Sequence, residues 1–165
     1  MAAARPTILQ IIPELETGGA ELSTIEIAGA IASAGGRALV LIAAGGEFIP
    51  FPAATKNPAR MLWNAREISR IIDSEHVDLV HARSRAPAWS ALIAARRKGV
   101  PFVTTYHGAY NESGRIKSAY NSVMARGDAV IANSNYTADL VQSRYGTPTE
   151  RLRVIYRGVD GVQFD

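Results

Sequence analysis

The sequence predicts an α/β fold, a three-layer αβα domain built on a mainly parallel β-sheet. Three observations lead to this prediction. Short apolar segments of strand length alternate with longer segments of helical periodicity along almost the whole chain of 165 residues. The connections between these segments are short, and glycine is frequent in them. Several strand segments are almost continuously apolar, which is typical of parallel strands covered on both faces.

The first half of the chain predicts three strands and two helices. Strands are expected at Ile8–Ile12, Arg37–Ala44 and Phe48–Pro52, the last at a sheet edge because it contains two prolines. Helices are expected at Ala20–Ala34, ended by Gly35 and Gly36, and at about Ala59–Glu75. Apolar spacing predicts their buried faces, with Leu22, Ile25, Ala28, Ile31 and Ala32 in the first helix and Leu62, Ala65, Ile68 and Ile72 in the second.

The second half continues the alternation. Strands are expected at Val77–Ala82, Phe102–Tyr106, Ala129–Ala132 and Leu152–Tyr156. Helices are expected at Trp89–Lys98, at Lys117–Met124, and from an N-cap at Ser134 to Tyr145. Gly99 and Gly146 follow two of these helices and are expected to end them.

Composition indicates an ordinary globular domain, since 47% of the residues are hydrophobic and 20% are charged. Cysteine is absent, which excludes disulfides and any cysteine nucleophile or metal ligand. No apolar run is long enough to span a bilayer, and the first six residues do not resemble a signal peptide. We therefore expect a cytoplasmic protein.

Basic residues are concentrated in residues 81–126, where eight Lys and Arg accompany one acid, Glu112. Such a region attracts phosphates, anionic lipid headgroups or nucleic acid. A solvated arginine-rich surface is the alternative interpretation. Nucleic acid is the least favoured partner, because stacking aromatic residues are not interleaved with the basic ones.

Polar or glycine-rich residues follow most of the predicted strands. In a parallel sheet, ligands bind beyond the carboxyl ends of the strands, so these residues are the candidates for a site. They are Gly18 and Gly19, Arg83 and Ser84, His107 and Gly108, Asn133, and Arg157. Two glycines before a helix expose N–H groups to an anion, although an ordinary tight turn has the same pattern. The third glycine of the dinucleotide-binding motif is missing.

No catalytic set is visible in the sequence. There is no Gly-x-Ser-x-Gly elbow, no His-x-x-x-His spacing and no acidic metal-binding motif. We therefore assign no catalytic residue, and we expect neither a metal ion nor an organic cofactor.

Five segments, in this order, resemble the N-terminal domain of a GT-B-fold glycosyltransferase, most closely the retaining enzymes of family 4. They are Gly18–Glu21, Val77–Trp89, Thr105–Gly108, Val130–Ser134 and Val154–Asp160. The segments around Arg83-Ser84-Arg85 and Arg157–Asp160 resemble bacterial lipopolysaccharide-type glycosyltransferases. The resemblance extends over essentially the whole chain.

The resemblance implies two Rossmann-like domains that face each other across a cleft. Residues 1–165 are then a single acceptor-side domain, and the C-terminal nucleotide-sugar-binding domain is absent from this chain. The whole enzyme is expected to transfer a sugar from a nucleotide-sugar to a lipid-linked or lipopolysaccharide-core saccharide. The 165 residues alone are expected to be inactive.

The resemblance also suggests roles for the strand-end residues. Gly18 and Gly19 would lie near the donor diphosphate and the acceptor, and His107 would hydrogen-bond the donor sugar. Arginines at 83 and 85, beside Ser84, would hold a phosphate or carboxylate of the acceptor, with surface arginines as the alternative. Gly108 is expected to serve its turn. Asn133 and Arg157 are further candidates, although many family members carry Asn at the position of Arg157.

Several residues are expected to be structural. Glu21 favours the helix dipole, His81 is a satisfied buried histidine, Trp89 belongs to the core and Ser134 is a helix cap. The segment from Tyr110 to Tyr120 mixes basic and aromatic residues, so contact with a lipid-linked acceptor or with the inner membrane remains an alternative to a solvated surface.

Two other functions remain open. One is a non-catalytic module that binds a glycan or a nucleotide. The other is part of a different GT-B enzyme, such as a sugar-nucleotide epimerase.

Overall fold

The computed structural model describes residues 5–13, 19–42, 49–50, 55, 57–108, 110 and 114–158. The strands are β1 (Thr7–Ile11), β2 (Arg37–Ile42), β3 (Ile49–Pro50), β4 (Leu79–Ala82), β5 (Phe102–Tyr106), β6 (Ala129–Ala132) and β7 (Leu152–Val154). The helices are α1 (Gly19–Ser33), α2 (Pro58–Ser74), α3 (Arg85–Lys98), α4 (Arg115–Asn121) and α5 (Asn135–Tyr145). Short 3₁₀ turns cover Ser122–Ala125 and Thr149–Arg151.

The seven strands form one sheet in the order β3-β2-β1-β4-β5-β6-β7, and every described pairing is parallel. The chain builds the sheet outwards from β1 to β3, then returns to place β4 on the other side of β1. The gap between β1 and β4 is therefore the switch point at which such sheets bind ligands. The predicted α/β fold with its parallel sheet is confirmed.

Helices cover the two faces of the sheet unequally. Right-handed crossovers place α1 on one face and α2 to α5 on the other. In β1, Leu9 and Ile11 join the core beneath α2 and α3, whereas Gln10 between them points the other way. Its Nε2 donates to the backbone oxygen of Thr24 in α1 at 3.1 Å.

The main core lies between the sheet and α2 to α5. Phe102 and Tyr106 of β5 are fully buried there, together with Ile68 of α2. Alanines of α3 are also fully buried, which lets α3 approach the sheet and α2 closely. Each large apolar side chain removed from water in this way contributes about 1.5–3 kcal/mol to the free energy of unfolding.

The predicted helix ends are confirmed. Gly35, Gly99 and Gly146 adopt φ of 84°, 67° and 62°, in the left-handed region that glycine reaches without strain. Ser134 caps α5 by accepting the N–H of Thr137 at 3.1 Å. No helix within the described ranges is long and apolar enough to cross a membrane.

The predicted buried face of α1 is wrong. Leu22 and Ile25 are 53% and 57% exposed, and Ser23 and Thr24 are buried instead. The first turns of α1 lie over polar side chains, so its inner face is polar there. In α2, Ala65, Ile68 and Ile72 are buried as predicted, but Leu62 is half exposed.

Several predicted boundaries also shift. The helix expected from Trp89 begins at Arg85, and Trp89 is half-buried rather than fully in the core. The last strand ends at Val154, two residues before Tyr156. The expected helix at Lys117–Met124 is α4 followed by a 3₁₀ turn. The edge strand is described at Ile49–Pro50 alone, and the end of the strand after Ile42 lies outside the described residues.

The face of β5 to β7 opposite the main core is not covered by any helix in the described ranges. Val130 and Ala132 of β6 are buried beneath the helices, whereas Ala129 and Ile131, which point the other way, are half-buried. This open face borders the carboxyl ends of the strands.

A matched pair of glycine substitutions tests the packing beside β6. A Cβ at the buried Gly127 would lie 2.4 Å from the backbone oxygen of Ala129, so Gly127→Ala should lower the free energy of unfolding by about 1–3 kcal/mol. A Cβ at Gly29, inside α1, meets nothing within 4 Å, so Gly29→Ala should raise it by about 0.5–1 kcal/mol. Urea unfolding measures both, and equal effects would contradict this packing.

Candidate functional site

A cavity of about 200 Å³ opens at the carboxyl ends of the strands, between α1 and the residues that follow β4 to β7. We call it the edge cavity. Its lining residues are Ser23, Glu26, Ile27, Arg83, Thr105, His107, Ile131, Asn133, Ile155, Tyr156, Arg157 and Gly158. It therefore brings together four of the predicted residues, namely Arg83, His107, Asn133 and Arg157.

Arg83 occupies the switch point of the sheet. Its backbone N–H donates to the oxygen of Ile11 at 3.0 Å, which continues the pairing of β4 with β1. The side chain is 2% exposed, so a solvated surface arginine is excluded. Its Nη1 donates to Gln10 Oε1 at 3.4 Å and its Nη2 donates to Ser23 Oγ.

The guanidinium of Arg83 has no hydrogen-bonded carboxylate among the described residues. Gln10 and Ser23 are neutral, and the buried Nε has no partner. Burial lowers the pKa of Arg83 to about 10, assisted by the charge of Arg157 and opposed by Glu26. A buried cation that lacks a bonded anion is destabilising. This arrangement therefore favours an anionic ligand group in the edge cavity.

His107 follows β5 and presents a neutral imidazole. Its pKa is lowered to about 4 by burial and by the charges of Arg83 and Arg157, which Glu21 opposes. Its Nε2 is buried and has no hydrogen-bond partner in the described ranges. An imidazole in this state offers a ring nitrogen to a ligand hydroxyl without competing for the anion.

His81 lies deeper in the sheet and is a buried, satisfied histidine, as predicted. Its Nε2 is 2.8 Å from Thr105 Oγ1. Burial lowers the pKa of His81 to about 3, and the charges of Arg83 and His107 add to the effect. His81 is therefore neutral at neutral pH and adds no charge beside Arg83.

Asn133 holds the loop that carries His107. Its Nδ2 donates to the backbone oxygen of His107 at 3.0 Å, and its Oδ1 accepts from Thr137 Oγ1 at 2.7 Å. The end of β5 is thereby tied to the first turn of α5. Asn133 lines the cavity, but both atoms of its amide already have protein partners.

Arg157 is exposed and closes one side of the edge cavity beside the start of α1. A Cβ at Gly19 would lie 2.5 Å from its Nη1, so the guanidinium rests against the glycine backbone. The N-terminus of a helix carries partial positive charge, and Arg157 adds a full charge to it. Gly18, like the last residues of the Val154–Asp160 segment, lies outside the described residues.

Ser84 and Arg85 do not line the edge cavity. They line a separate cavity of about 270 Å³ with Lys117, Tyr120 and Asn121. Arg85 Nη1 donates to Asn121 Oδ1 at 3.0 Å, and its Cζ lies 4.1 Å from the ring centroid of Tyr110. Arg83 and Arg85 therefore line different cavities, although only Ser84 lies between them in the sequence.

Gly108 lines neither of these cavities, and the expectation that its turn needs glycine is wrong. Its φ is not in the left-handed region, and a Cβ there would meet nothing within 4 Å. The structure gives no steric reason for a glycine at this position.

Sequence reasoning missed Ser23 and Glu26 of α1, and Ile155 and Tyr156 after β7. Ser23 and Glu26 follow Gly19 by four and seven residues, so they share one helix face with the glycine turn. That spacing is the sequence signal that could have identified Ser23 and Glu26 as residues of the site. Across the described residues, no three His, Asp or Glu side chains are grouped so that they could hold a metal ion.

Titration of His107 tests the electrostatics of the site. We expect the NMR signals of its imidazole to titrate at about pH 4 rather than near 6.5. Because the folded pKa is below the ordinary value, the unfolded chain takes up the proton first, and stability should fall as the pH drops from 6.5 towards 4. Arg157→Gln should raise the pKa of His107, since it removes a nearby positive charge.

The control is Arg153→Gln, which removes the same charge from an exposed residue that does not line the edge cavity. It should leave the pKa of His107 unchanged. A midpoint near 6.5, or equal shifts in the two variants, would show that burial and Arg157 do not set this pKa.

Comparisons with known proteins identify the family and agree with the fold. The model of the family described as Glycosyltransferase Family 4 matches residues 17–161. A comparison with curated proteins found no match. Among solved structures, a glycosyltransferase from Rickettsia africae ESF-5 is 37% identical with a TM-score of 0.83, and the match covers 98% of this chain and 45% of that one.

Two further structures are similar. Anabaena Alr3699/HepE in complex with UDP-glucose is 26% identical, with a TM-score of 0.70 and coverage of 93% of this chain and 44% of that one. UDP-N-acetylglucosamine 2-epimerase from Rickettsia bellii is 14% identical, with a TM-score of 0.64 and coverage of 92% and 44%, and shows the fold alone. The chain thus spans less than half the length of these proteins, and it belongs to Glycosyltransferase Family 4.

Proposed function

We propose that this chain is the acceptor-side domain of a retaining glycosyltransferase. The whole protein would transfer a sugar from a nucleotide-sugar to a lipid-linked or lipopolysaccharide-core saccharide, with most of the donor held by a second domain. Family membership supports the transferase class. The relative from Rickettsia africae, of whose length this chain covers 45%, supports the assignment to one half of a longer enzyme.

The observation that carries the proposal is the uncompensated charge of Arg83. A guanidinium that is 2% exposed and bonded to neutral groups alone gains most from a ligand that brings its own negative charge. A phosphate or carboxylate on the acceptor saccharide would supply that charge through the cavity beside it. His107, which lines the same cavity, would hydrogen-bond the donor sugar.

The start of α1 would serve the donor. Its free N–H groups, Gly19 and the guanidinium of Arg157 form a positive end that suits the departing diphosphate. UDP-glucose is the ligand of Alr3699/HepE, a relative 26% identical to this chain, which supports a nucleotide-sugar donor. We propose no residue of this chain as the catalytic group, and we propose that no metal ion is needed.

The size and surroundings of the edge cavity support an incomplete site. Its volume of about 200 Å³ is smaller than the ~300–1,000 Å³ typical of ligand pockets. Two exposed apolar side chains line it, Ile155 and Tyr156 after β7, and α1 also exposes Leu22 and Ile25. Such a surface is expected where another domain packs, and the chain alone would then be inactive.

A lipid-linked acceptor would reach the site from the side of α4. Ile116 is 89% exposed and is flanked by the exposed Arg115 and Lys117, a combination that suits an anionic membrane surface. We propose that α4 makes peripheral contact with such a membrane. Sedimentation with anionic vesicles tests this, and Ile116→Ser is expected to reduce binding.

A self-contained binding module is the competing function. Similarity to the epimerase at 14% identity shows the fold and favours no chemistry. The two functions differ in what the 165 residues bind by themselves. An acceptor-side domain binds the saccharide, whereas a self-contained nucleotide module binds the nucleotide.

The experiment is a ligand-observed NMR titration of the chain. The ligands are UDP-glucose, GDP-mannose, and a lipopolysaccharide-core oligosaccharide with and without its phosphates. We expect the phosphorylated oligosaccharide to bind, its dephosphorylated form to bind less, and both nucleotide-sugars to bind weakly. Tight nucleotide binding, or no binding of the oligosaccharide, would contradict the proposal.

Arg157→Gln provides the site-specific variant for the same titration. Arg157 lines the same cavity as Arg83, so loss of its positive charge should weaken binding of the phosphorylated oligosaccharide by about tenfold. Arg153→Gln lowers the net charge equally and should have no such effect. Equal weakening in both variants would mean that net charge, and not the edge cavity, attracts the ligand.

A further inference from the structure

A second basic cavity, of about 450 Å³, lies at the opposite edge of the sheet from the edge cavity. Its residues come from the connections that lead into β5, β6 and β7. Arg96 is near the end of α3, Arg126 precedes β6, and Thr147 and Arg151 lie between α5 and β7. We call it the rear cavity. Nothing in the proposed transfer reaction uses it.

Three arginines line the rear cavity, and one of them is neutralised. Asp128 accepts from the backbone N–H of Phe102 at 2.8 Å and forms an ion pair with Arg96 at 2.8 Å. These bonds lower the pKa of Asp128, and the charge of Arg151 contributes through space. The carboxylate of Asp128 therefore neutralises the charge of Arg96. The charges of Arg126 and Arg151 remain for a ligand of the cavity.

Arg126 is held in place, and its terminal nitrogens have no hydrogen-bond partner among the residues that the structure describes. Its Nε donates to Ser122 Oγ at 3.3 Å, and its Cζ lies 5.1 Å from the ring centroid of Trp89. The backbone N–H of Arg151 donates to the oxygen of Pro148 at 3.0 Å, whereas its guanidinium has no hydrogen bond within the described ranges. Arg96 lies in the last turn of α3, where a positive charge is favoured by the negative carboxyl end of the helix. Neither Arg126 nor Arg151 belongs to an α-helix, so this explanation does not apply to them.

Thr147 adds an unpartnered polar group to the same cavity. Its side chain is 3% exposed, and its Oγ1 has no hydrogen-bond partner among the described residues. A buried hydroxyl without a partner is costly, so a ligand oxygen that bonds it would be stabilising.

We propose that the rear cavity binds a small soluble oxyanion with several charged oxygens, of the diphosphate or phosphate-ester class. The donors that such a ligand needs are the Thr147 hydroxyl and the guanidiniums of Arg126 and Arg151, neither of which has a bonded carboxylate among the described residues. None of the exposed large apolar side chains in the described ranges lines the cavity, so it lacks the anchors that a membrane surface uses. The proposal is independent of the transferase function.

The test is a titration with inorganic pyrophosphate at physiological ionic strength, followed by two-dimensional NMR of backbone amides. We expect saturable shifts at Gly146, Thr147 and Arg151. Arg126→Gln and Arg151→Gln should each weaken the affinity by about tenfold, since each removes a charge-assisted bond. Arg60→Gln on α2 makes the same change of charge away from the cavity and should have no effect.

Thr147→Val separates binding from folding. If the hydroxyl meets a ligand, this near-isosteric change should weaken pyrophosphate binding while the melting temperature stays equal or rises, because a buried unpartnered group is removed. Vesicles of anionic phospholipid form a second arm, and their binding should not depend on Arg126 or Arg151. Absence of saturable shifts, or equal weakening in Arg60→Gln, would overturn the proposal, and so would dependence of vesicle binding on these arginines.

Discussion

A buried positive charge at the switch point of the sheet constrains the rest of the site. The backbone of Arg83 continues the pairing between β4 and β1, and its guanidinium reaches across to Gln10 on β1 and Ser23 on α1. The inner face of α1 must therefore be polar near its start. Burial, together with this charge, lowers the pKa of His81 and of His107, so neither imidazole adds a further cation at neutral pH.

The architecture was predictable because local signals and topology agree. Alternating strand and helix segments, with glycines at Gly35, Gly99 and Gly146, predicted the elements and their ends. Because the carboxyl ends of parallel strands lie at one edge of the sheet, the residues that follow them were predicted to lie close together. The edge cavity contains four of them, Arg83, His107, Asn133 and Arg157. These residues meet because the sheet is parallel, although up to 74 positions separate them in the sequence.

Other features of the site depended on tertiary contacts that sequence patterns do not contain. The apolar spacing of α1 predicted that Leu22 and Ile25 are buried, but both are exposed. That prediction relies on the inner face of a helix being apolar. Near this site the inner face of α1 is polar, and Ser23 and Thr24 are the residues buried there. Arg83 and Arg85 looked equivalent in sequence, but α3 begins at Arg85 and its side chain turns towards Asn121. Gly108 shows that a glycine after a strand need not have a conformational reason.

The direct test of the central claim is the Nε–H NMR signal of Arg83, assigned with Arg83→Lys, during titration with the phosphorylated core oligosaccharide. The account predicts that this signal and the imidazole signals of His107 shift together with one saturation curve, because the ligand anion bonds the guanidinium beside the imidazole. Saturable binding elsewhere on the chain, with the Arg83 signal unmoved, would contradict the assignment of this buried charge to ligand recognition.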